Sequence, residues 1–307
     1  PVVGIVGATG TGKSDLAIEL AQKLSETGDR VEIVNADAMQ LYRGMDIGTA
    51  KVPETERRGI PHHLLDVWEV TREASVADYQ AMARAIIQDI QSRGAFPLLV
   101  GGSGLYVSSV LYEFEFPGTD PEIRAQLEAR LEKEGLAPLL EELAGKDPLA
   151  AAAIDPQNTR RVIRALEVIE VTGKPFGAGL DAEHRPWQTS TVVVGLHRER
   201  ADLVEILNQR VEAMWERGLA DEVQDLIPLG IERGVTASRA IGYQQALEVL
   251  AGEMSKEEAI QSTQSLTRRY ARRQVSWFRR DQNTLWLSSD EPGIRDRALG
   301  VLREAWT

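Results

Sequence analysis

The sequence feature that most constrains the fold is a glycine-rich octapeptide near the start of the chain. It reads Gly7-Ala8-Thr9-Gly10-Thr11-Gly12-Lys13-Ser14 and fits the pattern G-x-x-x-x-G-K-[ST] in full. An apolar, β-branched run precedes it and a segment with helical spacing follows it, so it joins a strand to a helix. In that context the backbone N–H groups converge on phosphate oxygens at the N-terminus of a helix. We predict a phosphate-binding loop and leave the phosphate compound open.

Two side chains of the octapeptide carry specific chemistry. Lys13 is expected to reach the terminal phosphate, and the Ser14 hydroxyl is expected to ligate Mg²⁺. A Mg²⁺ cofactor held by Ser14 is therefore predicted. The phosphate-binding set comprises Gly7, Ala8, Thr9, Gly10, Thr11, Gly12, Lys13 and Ser14.

The rest of the chain alternates short apolar runs with helical segments. Strands are predicted at 2–6, 31–34, 96–100, 191–196 and 284–287. This alternation is typical of a mostly parallel sheet covered by helices on both faces, an α/β fold of the P-loop NTPase type. The stretch 118–187 is almost entirely helical. We predict a core of 1–117 and 188–307, with 118–187 as a helical insertion domain and long amphipathic helices over 203–226 and 255–280.

Asp37 is the acid best placed for chemistry. A nucleotide kinase or NTPase usually carries an acid after an apolar strand, but the strand at 96–100 is followed by Gly101-Gly102-Ser103. Asp37 alone follows a predicted strand, at the edge where such sheets bind ligands. Its alternative role is that of a helix or turn cap.

Composition limits the functional classes. The chain has no Cys, which excludes disulfides, thiolate metal sites and Cys nucleophiles and favours an intracellular protein. No run is long and apolar enough to cross a membrane, and we expect a cytoplasmic monomer. The adjacent His62 and His63 would point to opposite faces of an extended segment, so no metal site is expected there.

Net charge and charge placement point in different directions. A formal charge of −12 argues against a nucleic-acid partner. However, the segment 267–280 holds six Arg, three aromatic residues and no acid. Clustered Arg suits RNA phosphates and unstacked loop bases. A solvated basic helix face is the alternative, and Trp277 and Phe278 are expected to anchor that helix in the core.

Eight sequence blocks occur in the order of one known family. They are the octapeptide 7–14, NADAMQLY at 35–42, DIGTAK at 46–51, GIPHHL at 59–64, GGSGLY at 101–106, RRVIRALE at 160–167, AIGY at 240–243 and RRQVSWF at 272–278. With these blocks the chain resembles the tRNA dimethylallyltransferases, the bacterial tRNA isopentenyltransferases of the IPP transferase family. The resemblance runs from the first residues to about residue 280.

The resemblance implies transfer of a dimethylallyl group from dimethylallyl diphosphate to N6 of the adenosine 3′-adjacent to the tRNA anticodon. The octapeptide would then hold a diphosphate leaving group. Asp37 resembles the general base of the family, and Ser103 stands where most members have Thr. Arg124 matches a position that holds the diphosphate or the tRNA. A turn residue (Ser103) and a solvated helix charge (Arg124) are the alternative roles.

The resemblance also implies a tRNA surface. Asp37, Ala38, Met39 and Gln40 would meet an adenosine that has left the anticodon-loop stack, although Gln40 is alternatively an ordinary exposed amide. The insertion would contact the anticodon arm. The remaining predicted tRNA-binding residues are Arg160, Arg161, Arg164, Arg239, Gly242, Tyr243, Arg268, Arg272 and Arg273.

Three other functions remain as alternatives at this point. An adenylate isopentenyltransferase would prenylate free AMP, ADP or ATP and would need neither the insertion nor the Arg-rich helix. A kinase or NTPase would transfer or hydrolyse phosphate. A non-catalytic RNA-binding protein would not need Lys13, Ser14 and Asp37, which are all present.

Overall fold

The computed structural model describes residues 1–114, 116–176 and 185–306. The chain divides into two compact units. The first combines Pro1–Leu111 with Pro186–Thr307, and the second comprises Tyr112–Arg185. Residues 177–184 of the insertion predicted over 118–187 lie outside the described residues.

The first unit is built on a parallel β-sheet. Its strands are β1 (Val2–Gly7), β2 (Val31–Asn35), β3 (His62–His63), β4 (Phe96–Gly101), β5 (Thr191–His197) and β6 (Leu285–Ser288). Their order in the sheet is β3-β2-β4-β1-β5-β6, and every neighbouring pair is parallel. The predicted fold class is confirmed. The strand β3 was not predicted, because two residues are too few to carry a periodic pattern.

The helices lie between the strands and after the last of them along the chain, singly or several in a row. In the described residues they are α1 (Lys13–Glu26), α2 (Val76–Ser92), α3 (Gly104–Leu111), α4 (Pro121–Glu134), α5 (Ala137–Lys146), α6 (Pro148–Ala153), α7 (Thr159–Thr172), α8 (Arg200–Glu216), α9 (Leu219–Leu226), α10 (Tyr243–Leu250), α11 (Lys256–Phe278) and α12 (Ile294–Trp306). Of these, α4 to α7 belong to the second unit.

Local sequence signals explain several helix ends. The Ser255 hydroxyl accepts the N–H of Glu258 while the Glu258 carboxylate accepts the N–H of Ser255, which is a capping box at the start of α11. The single helix predicted over 203–226 is wrong. It breaks at Gly218, whose φ of 96° lies in the left-handed region that ends a helix readily.

Helices cover both faces of the sheet. Val3 and Ile5 of β1 share a buried apolar cluster with residues of α1 and α12. Gly4 points to the opposite face, since side chains alternate along a strand, and a Cβ on Gly4 would lie 3.2 Å from Cδ1 of Leu111 in α3. The edge at which β1, β2 and β4 end is left for a site.

The second unit has its own small core. Leu127 of α4, Leu139 and Leu143 of α5 and Leu166 of α7 are buried together in it. No helix of the described residues combines the length and apolarity needed to cross a membrane.

Candidate functional site

The phosphate loop lies between β1 and α1. Gly10 and Gly12 have φ angles of 84° and 85°, which a residue with a Cβ adopts only with strain. The Thr11 hydroxyl and the Lys13 ammonium both donate to the carbonyl oxygen of Ala8, at 2.8 and 2.7 Å. Helix α1 begins at Lys13, so the unpaired N–H groups of its first turn adjoin the loop.

A cavity of about 260 Å³ opens beside this loop. Segments from six parts of the first unit line it: the phosphate loop with the first turn of α1, the end of β2, the end of β4, the loop after β2, α8 and α11. Its lining residues include Thr9, Lys13, Ser14, Asp15, Asn35, Asp37, Gln40, Asp46, Thr49, Lys51, Gly101, Gly102, Arg210, Arg217 and Gln274. The structure thus brings the predicted Lys13, Ser14, Asp37 and Gln40 to one cavity.

Asp37 follows β2 directly and is held by local hydrogen bonds. Its Oδ1 accepts the N–H of Met39 at 2.9 Å, and its own N–H donates to Oδ1 of Asn35 at 3.0 Å. Burial raises the pKa of the Asp37 carboxyl above its ordinary value, although the Met39 N–H and the Lys13 charge act in the opposite direction. A carboxylate with a raised pKa beside a phosphate loop is suited to accept a proton.

Burial acts on the pKa of Lys13 in the opposite direction. Burial lowers the pKa of Lys13 from 10.5 to about 8, and the Asp37 carboxylate limits the fall. Lys13 therefore remains a cation at neutral pH but loses its charge in mildly alkaline solution.

Ser103 connects the ends of β4 and β2. Its hydroxyl accepts the N–H of Ala38 at 3.1 Å, so it fixes the residue that follows Asp37. Burial raises the pKa of Tyr270, which lies in α11, to about 12, so its phenol remains neutral.

The glycines around Ser103 are required by close packing. A Cβ on Gly101 would lie 2.3 Å from the carbonyl carbon of Ala36, and one on Gly102 would lie 2.4 Å from Nε2 of Gln274. A Cβ on Gly104 would lie 2.3 Å from Cδ1 of Trp277. The GGSG segment thus lets β2 and α11 approach the end of β4.

Gln274 joins α11 to the phosphate loop. Its Oε1 accepts the N–H of Thr9 at 2.9 Å, and its Nε2 donates to the carbonyl oxygen of Gly102 at 2.8 Å. The side chain is 3% exposed, so neither hydrogen bond competes with bulk water. The sequence alone gives no signal for this role of Gln274, because an amide in an Arg-rich helix is not distinctive by itself.

Arg210 of α8 is a second cavity residue that the sequence analysis missed. Its Nη1 donates to Oγ1 of Thr9 at 3.3 Å, and burial lowers its pKa below the ordinary value. With Lys13 it gives the cavity two cations beside the phosphate loop. The sequence contained no local signal for Arg210, which sits within an ordinary amphipathic helix.

The segment Asp46–Lys51, here called the 46–51 loop, forms another wall of the cavity. The buried ammonium of Lys51 donates to Oδ1 of Asp46 and Oδ1 of Asp66, both at 2.6 Å, and to the carbonyl oxygen of Tyr42 at 2.9 Å. The Gln40 Nε2 donates to the carbonyl oxygen of Thr49 at 3.1 Å. The loop therefore holds Gln40 in place.

The arginines of α11 divide by exposure. Arg272 and Arg273 are exposed, whereas Arg268 is half-buried and donates to Oδ1 of Asn208 at 2.6 Å. On the other face Phe278 is buried, and the indole N–H of Trp277 donates to the Ser108 hydroxyl at 3.1 Å. Arg239 is exposed in a short 3-10 turn before α10.

Tyr243 and Gly242 do not lie at the surface. Tyr243 is fully buried and its hydroxyl donates to the Glu222 carboxylate, so its predicted contact with RNA is not available in this conformation. Gly242 is also buried, with a φ of 89°. The prediction took a recurring sequence block as a surface feature, whereas here it is an interior one.

Arg124 and Arg164 belong to the second unit and meet at a buried acid. The Arg124 and Arg164 guanidinium groups donate to Oε2 of Glu167 at 2.9 and 3.0 Å, and Glu167 has no exposed side-chain surface. Burial would raise the pKa of Glu167, but hydrogen bonds from both guanidinium groups hold it below the ordinary value. Arg124 is thus half-buried and paired with an acid of its own unit. Arg160 and Arg161, at the start of α7, are exposed.

The two histidines of β3 have ordinary partners. The His62 Nδ1 lies 2.8 Å from the carbonyl oxygen of Ile60, and the His63 Nε2 lies 2.7 Å from Oε2 of Glu32. Within the described residues, no group of three or more His, Asp or Glu side chains is arranged to hold a metal ion.

Comparison with known proteins gives a consistent result. The tRNA dimethylallyltransferase of Thermobifida fusca is 55% identical over 303 residues, which is 99% of this chain and 94% of that protein. The tRNA dimethylallyltransferase of Clavibacter sepedonicus is 55% identical over 305 residues, 99% of each chain.

Solved structures agree with this. The tRNA isopentenylpyrophosphate transferase of Bacillus halodurans matches with a TM-score of 0.71 at 39% identity, over 99% of this chain and 96% of that one. A eukaryotic dimethylallyltransferase acting on tRNA matches with a TM-score of 0.83 at 27% identity, over 99% of this chain and 78% of that one. The model of the IPP transferase family matches residues 40–281. The chain therefore belongs to the IPP transferase family.

Proposed function

We propose that this protein transfers a dimethylallyl group from dimethylallyl diphosphate to N6 of the adenosine 3′-adjacent to the anticodon in tRNA. The observation that carries the proposal is that Asp37 and the phosphate loop line one cavity, while β4 ends at Gly101 and is followed by Gly102 instead of an acid. A phosphate site with a proton acceptor beside it suits a reaction in which diphosphate leaves and a nitrogen loses a proton. The names of the relatives support the same reaction.

The proposed reaction balances with the groups at hand. The N6 nitrogen forms a bond to C1 of the dimethylallyl group, and the bond between C1 and the diphosphate oxygen breaks. The electron pair of that bond leaves with the diphosphate. The proton of N6 passes to the Asp37 carboxylate, which is needed because the lone pair of an exocyclic amine is delocalised into the ring.

Charge on the departing diphosphate needs compensation. Lys13, Arg210 and the N–H groups at the start of α1 provide fixed positive charge or dipoles at the cavity. Because these groups are held before the reaction begins, little reorganisation is needed when the leaving group develops charge.

The cavity also fits the proposed Mg²⁺ ion. The Ser14 hydroxyl, the Asp15 and Asp37 carboxylates and the Asn35 amide line it, and hard oxygen donors are the ligands that Mg²⁺ prefers. Ser14 would be the protein ligand. When bound, the ion would offset the charge of the diphosphate oxygens.

The tRNA would be bound by exposed arginines. In the first unit these are Arg239 and the Arg272–Arg273 pair, and in the second unit they are Arg160 and Arg161. Gln40 would present its amide to a base that has left the stack. A tRNA substrate also favours a cytoplasmic location, and a monomer remains our prediction for the state of association.

The test uses three components: dimethylallyl diphosphate, Mg²⁺ and unmodified tRNA. After incubation the nucleosides are analysed by mass spectrometry. We expect a five-carbon mass increase on the adenosine that follows the anticodon. No increase on tRNA, together with modification of free AMP, would assign the protein to the adenylate isopentenyltransferases instead.

A further inference from the structure

Glu222 of α9 makes an unusual set of contacts with the 46–51 loop. One carboxylate oxygen accepts the N–H groups of Ile47 at 2.7 Å and Asp46 at 3.1 Å, and the other lies 3.4 Å from the N–H of Gly48. Glu222 does not line the cavity. Three consecutive backbone donors that converge on one carboxylate form an anion-binding nest, here filled by a side chain from a distant part of the chain.

Tyr243 of α10 completes this arrangement. Its hydroxyl donates to Oε1 of Glu222 at 2.5 Å, and its ring lies against Gly48. A Cβ on Gly48 would lie 2.4 Å from Cε2 of Tyr243 and 2.9 Å from Cδ1 of Leu219. Burial, followed by the Glu222 charge, raises the pKa of Tyr243 well above its ordinary value, so its hydroxyl stays a donor.

The other side of the same loop faces the cavity. The Thr49 carbonyl fixes the Gln40 amide, and Lys51 is fixed by Asp46 and Asp66. In the described part of the chain, the side chains of Glu222 and Tyr243 hydrogen bond with the 46–51 loop and with each other, and not with the phosphate loop 7–14. The effect of Glu222 on the cavity therefore passes through the 46–51 loop to Gln40.

We propose that Glu222 and Tyr243 form a clamp that positions the 46–51 loop, and through it Gln40, for the RNA base. The inference rests on the proposed function for the identity of the substrate. Glu222 is a positioning residue, because it acts through the loop and does not itself reach the cavity. The clamp serves the RNA side of the site and is separate from the diphosphate side.

The first test compares Glu222→Ala with Asp225→Ala, which removes an exposed acid from the same helix. In Glu222→Ala we expect the amides of Asp46, Ile47 and Gly48 to exchange hydrogen faster, and the KM for an anticodon stem-loop RNA to rise about tenfold. The Kd for inorganic diphosphate should stay within twofold of that of the wild type. Asp225→Ala should change none of these values.

A second variant changes the loop itself, at the residue that packs against Tyr243. Gly48→Ala displaces the loop from Tyr243 without removing any hydrogen-bonding group, and it should raise the same KM. Combined with Glu222→Ala it should add little, because both changes release one loop. If Glu222→Ala does not fold, Glu222→Gln, which keeps the shape and removes the charge, takes its place.

The outcomes separate the clamp from the proposed function. Unchanged amide exchange in Glu222→Ala, an unchanged KM for RNA, or an equal loss of diphosphate affinity would each overturn the clamp. If the wild-type protein transfers no group to RNA, the proposed function fails. In that case, amide exchange and the Kd for the same RNA, each compared between Glu222→Ala and the wild type, decide whether the clamp exists.

Discussion

At the residue scale, burial acts in opposite directions on the two ionisable groups of the cavity. It raises the pKa of Asp37 and lowers the pKa of Lys13, because in each case it disfavours the charged form. Each charge partly offsets the effect of burial on the other. The pair is therefore suited to a reaction in which one group takes a proton while the other faces an anion.

Asp37→Asn should abolish most of the turnover. The amide keeps the size of the side chain but cannot accept the N6 proton, and general-base catalysis contributes on the order of 10²–10⁴-fold. We expect kcat to fall by that factor while the Kd for tRNA stays within about twofold, measured by single-turnover transfer and by filter binding. Turnover near the wild-type value would remove Asp37 from the role of base.

The pH dependence of kcat/KM should have two limbs. The rate should rise with pH as the Asp37 carboxyl loses its proton, with a midpoint above the ordinary carboxyl value of 3.8. It should fall again near pH 8, as Lys13, whose pKa is lowered to about 8, loses its charge.

Lys13→Arg supplies the control for the alkaline limb. A guanidinium stays protonated throughout this range, so whatever rate the variant retains should not fall near pH 8. An alkaline limb that persists unchanged in Lys13→Arg would assign it to a group other than Lys13.

At the element scale, α11 performs two tasks on two faces. Its buried face packs Gln274 and Phe278 against the rest of the first unit, and its exposed face carries Arg272 and Arg273. Packing thus fixes the direction in which the arginines point. If these arginines bind RNA phosphates, a helix anchored in this way loses little further backbone conformational entropy on binding.

Replacing Arg272 and Arg273 by Gln should weaken RNA binding and flatten its salt dependence. The slope of log K against log salt is negative, at about −0.7 for each phosphate contact with a single strand. The loss of two contacts should therefore make this slope less negative by about 1.4. Fluorescence anisotropy at several salt concentrations gives the slope. Arg297→Gln with Arg303→Gln, on the exposed face of α12, is the matched control. An unchanged slope in the α11 variant would count against this face as the RNA surface.

The glycines of the GGSG segment should be sensitive to a single added methyl group. In Gly104→Ala the new Cβ would lie 2.3 Å from the Trp277 ring, so we expect the free energy of unfolding to fall by roughly 1–3 kcal/mol. Urea denaturation measures the change. In Gly300→Ala of α12, where nothing lies within 4 Å, it should instead rise by up to about 1 kcal/mol. Equal effects at both positions would contradict the packing argument.

At the scale of the whole molecule, the sequence predicted what is local. The octapeptide and the apolar runs each specify a structure from a few neighbouring residues, and these elements are present. The pattern failed where an element is short, as in β3, or where one glycine interrupts a continuous apolar period, as at Gly218.

The sequence could not predict contacts between residues that are far apart along the chain. Arg210, Glu222 and Gln274 reach the site or its walls from helices more than 170 residues away from their partners. Their types are common in any amphipathic helix, so no local signal separates them from surface residues. The burial of Tyr243 has the same origin, because a tyrosine after a glycine fits a surface and an interior equally well.

The net charge of −12 is likewise a property of the whole chain that hides its parts. Exposed arginines collect on α11 and at the start of α7, whereas many acids lie elsewhere or neutralise internal cations such as Lys51. An RNA approaching within about 8 Å, the Debye length at physiological salt, meets the local charge and not the sum.

The two hydrogen bonds of Gln274 have a thermodynamic consequence. One ties the helix that carries Arg272 and Arg273 to the N–H of Thr9 in the phosphate loop, and the other ties it to the carbonyl oxygen of Gly102 after β4. Through this connection, ordering of the phosphate loop would favour ordering of α11, and the reverse. The factor by which diphosphate tightens RNA binding must then equal the factor by which RNA tightens diphosphate binding. We expect both factors to exceed one in the wild type, and Gln274→Ala to bring both to one, in titrations of each ligand with the other present and absent. The side-chain amide of Gln274 would then couple the binding of diphosphate to the binding of RNA.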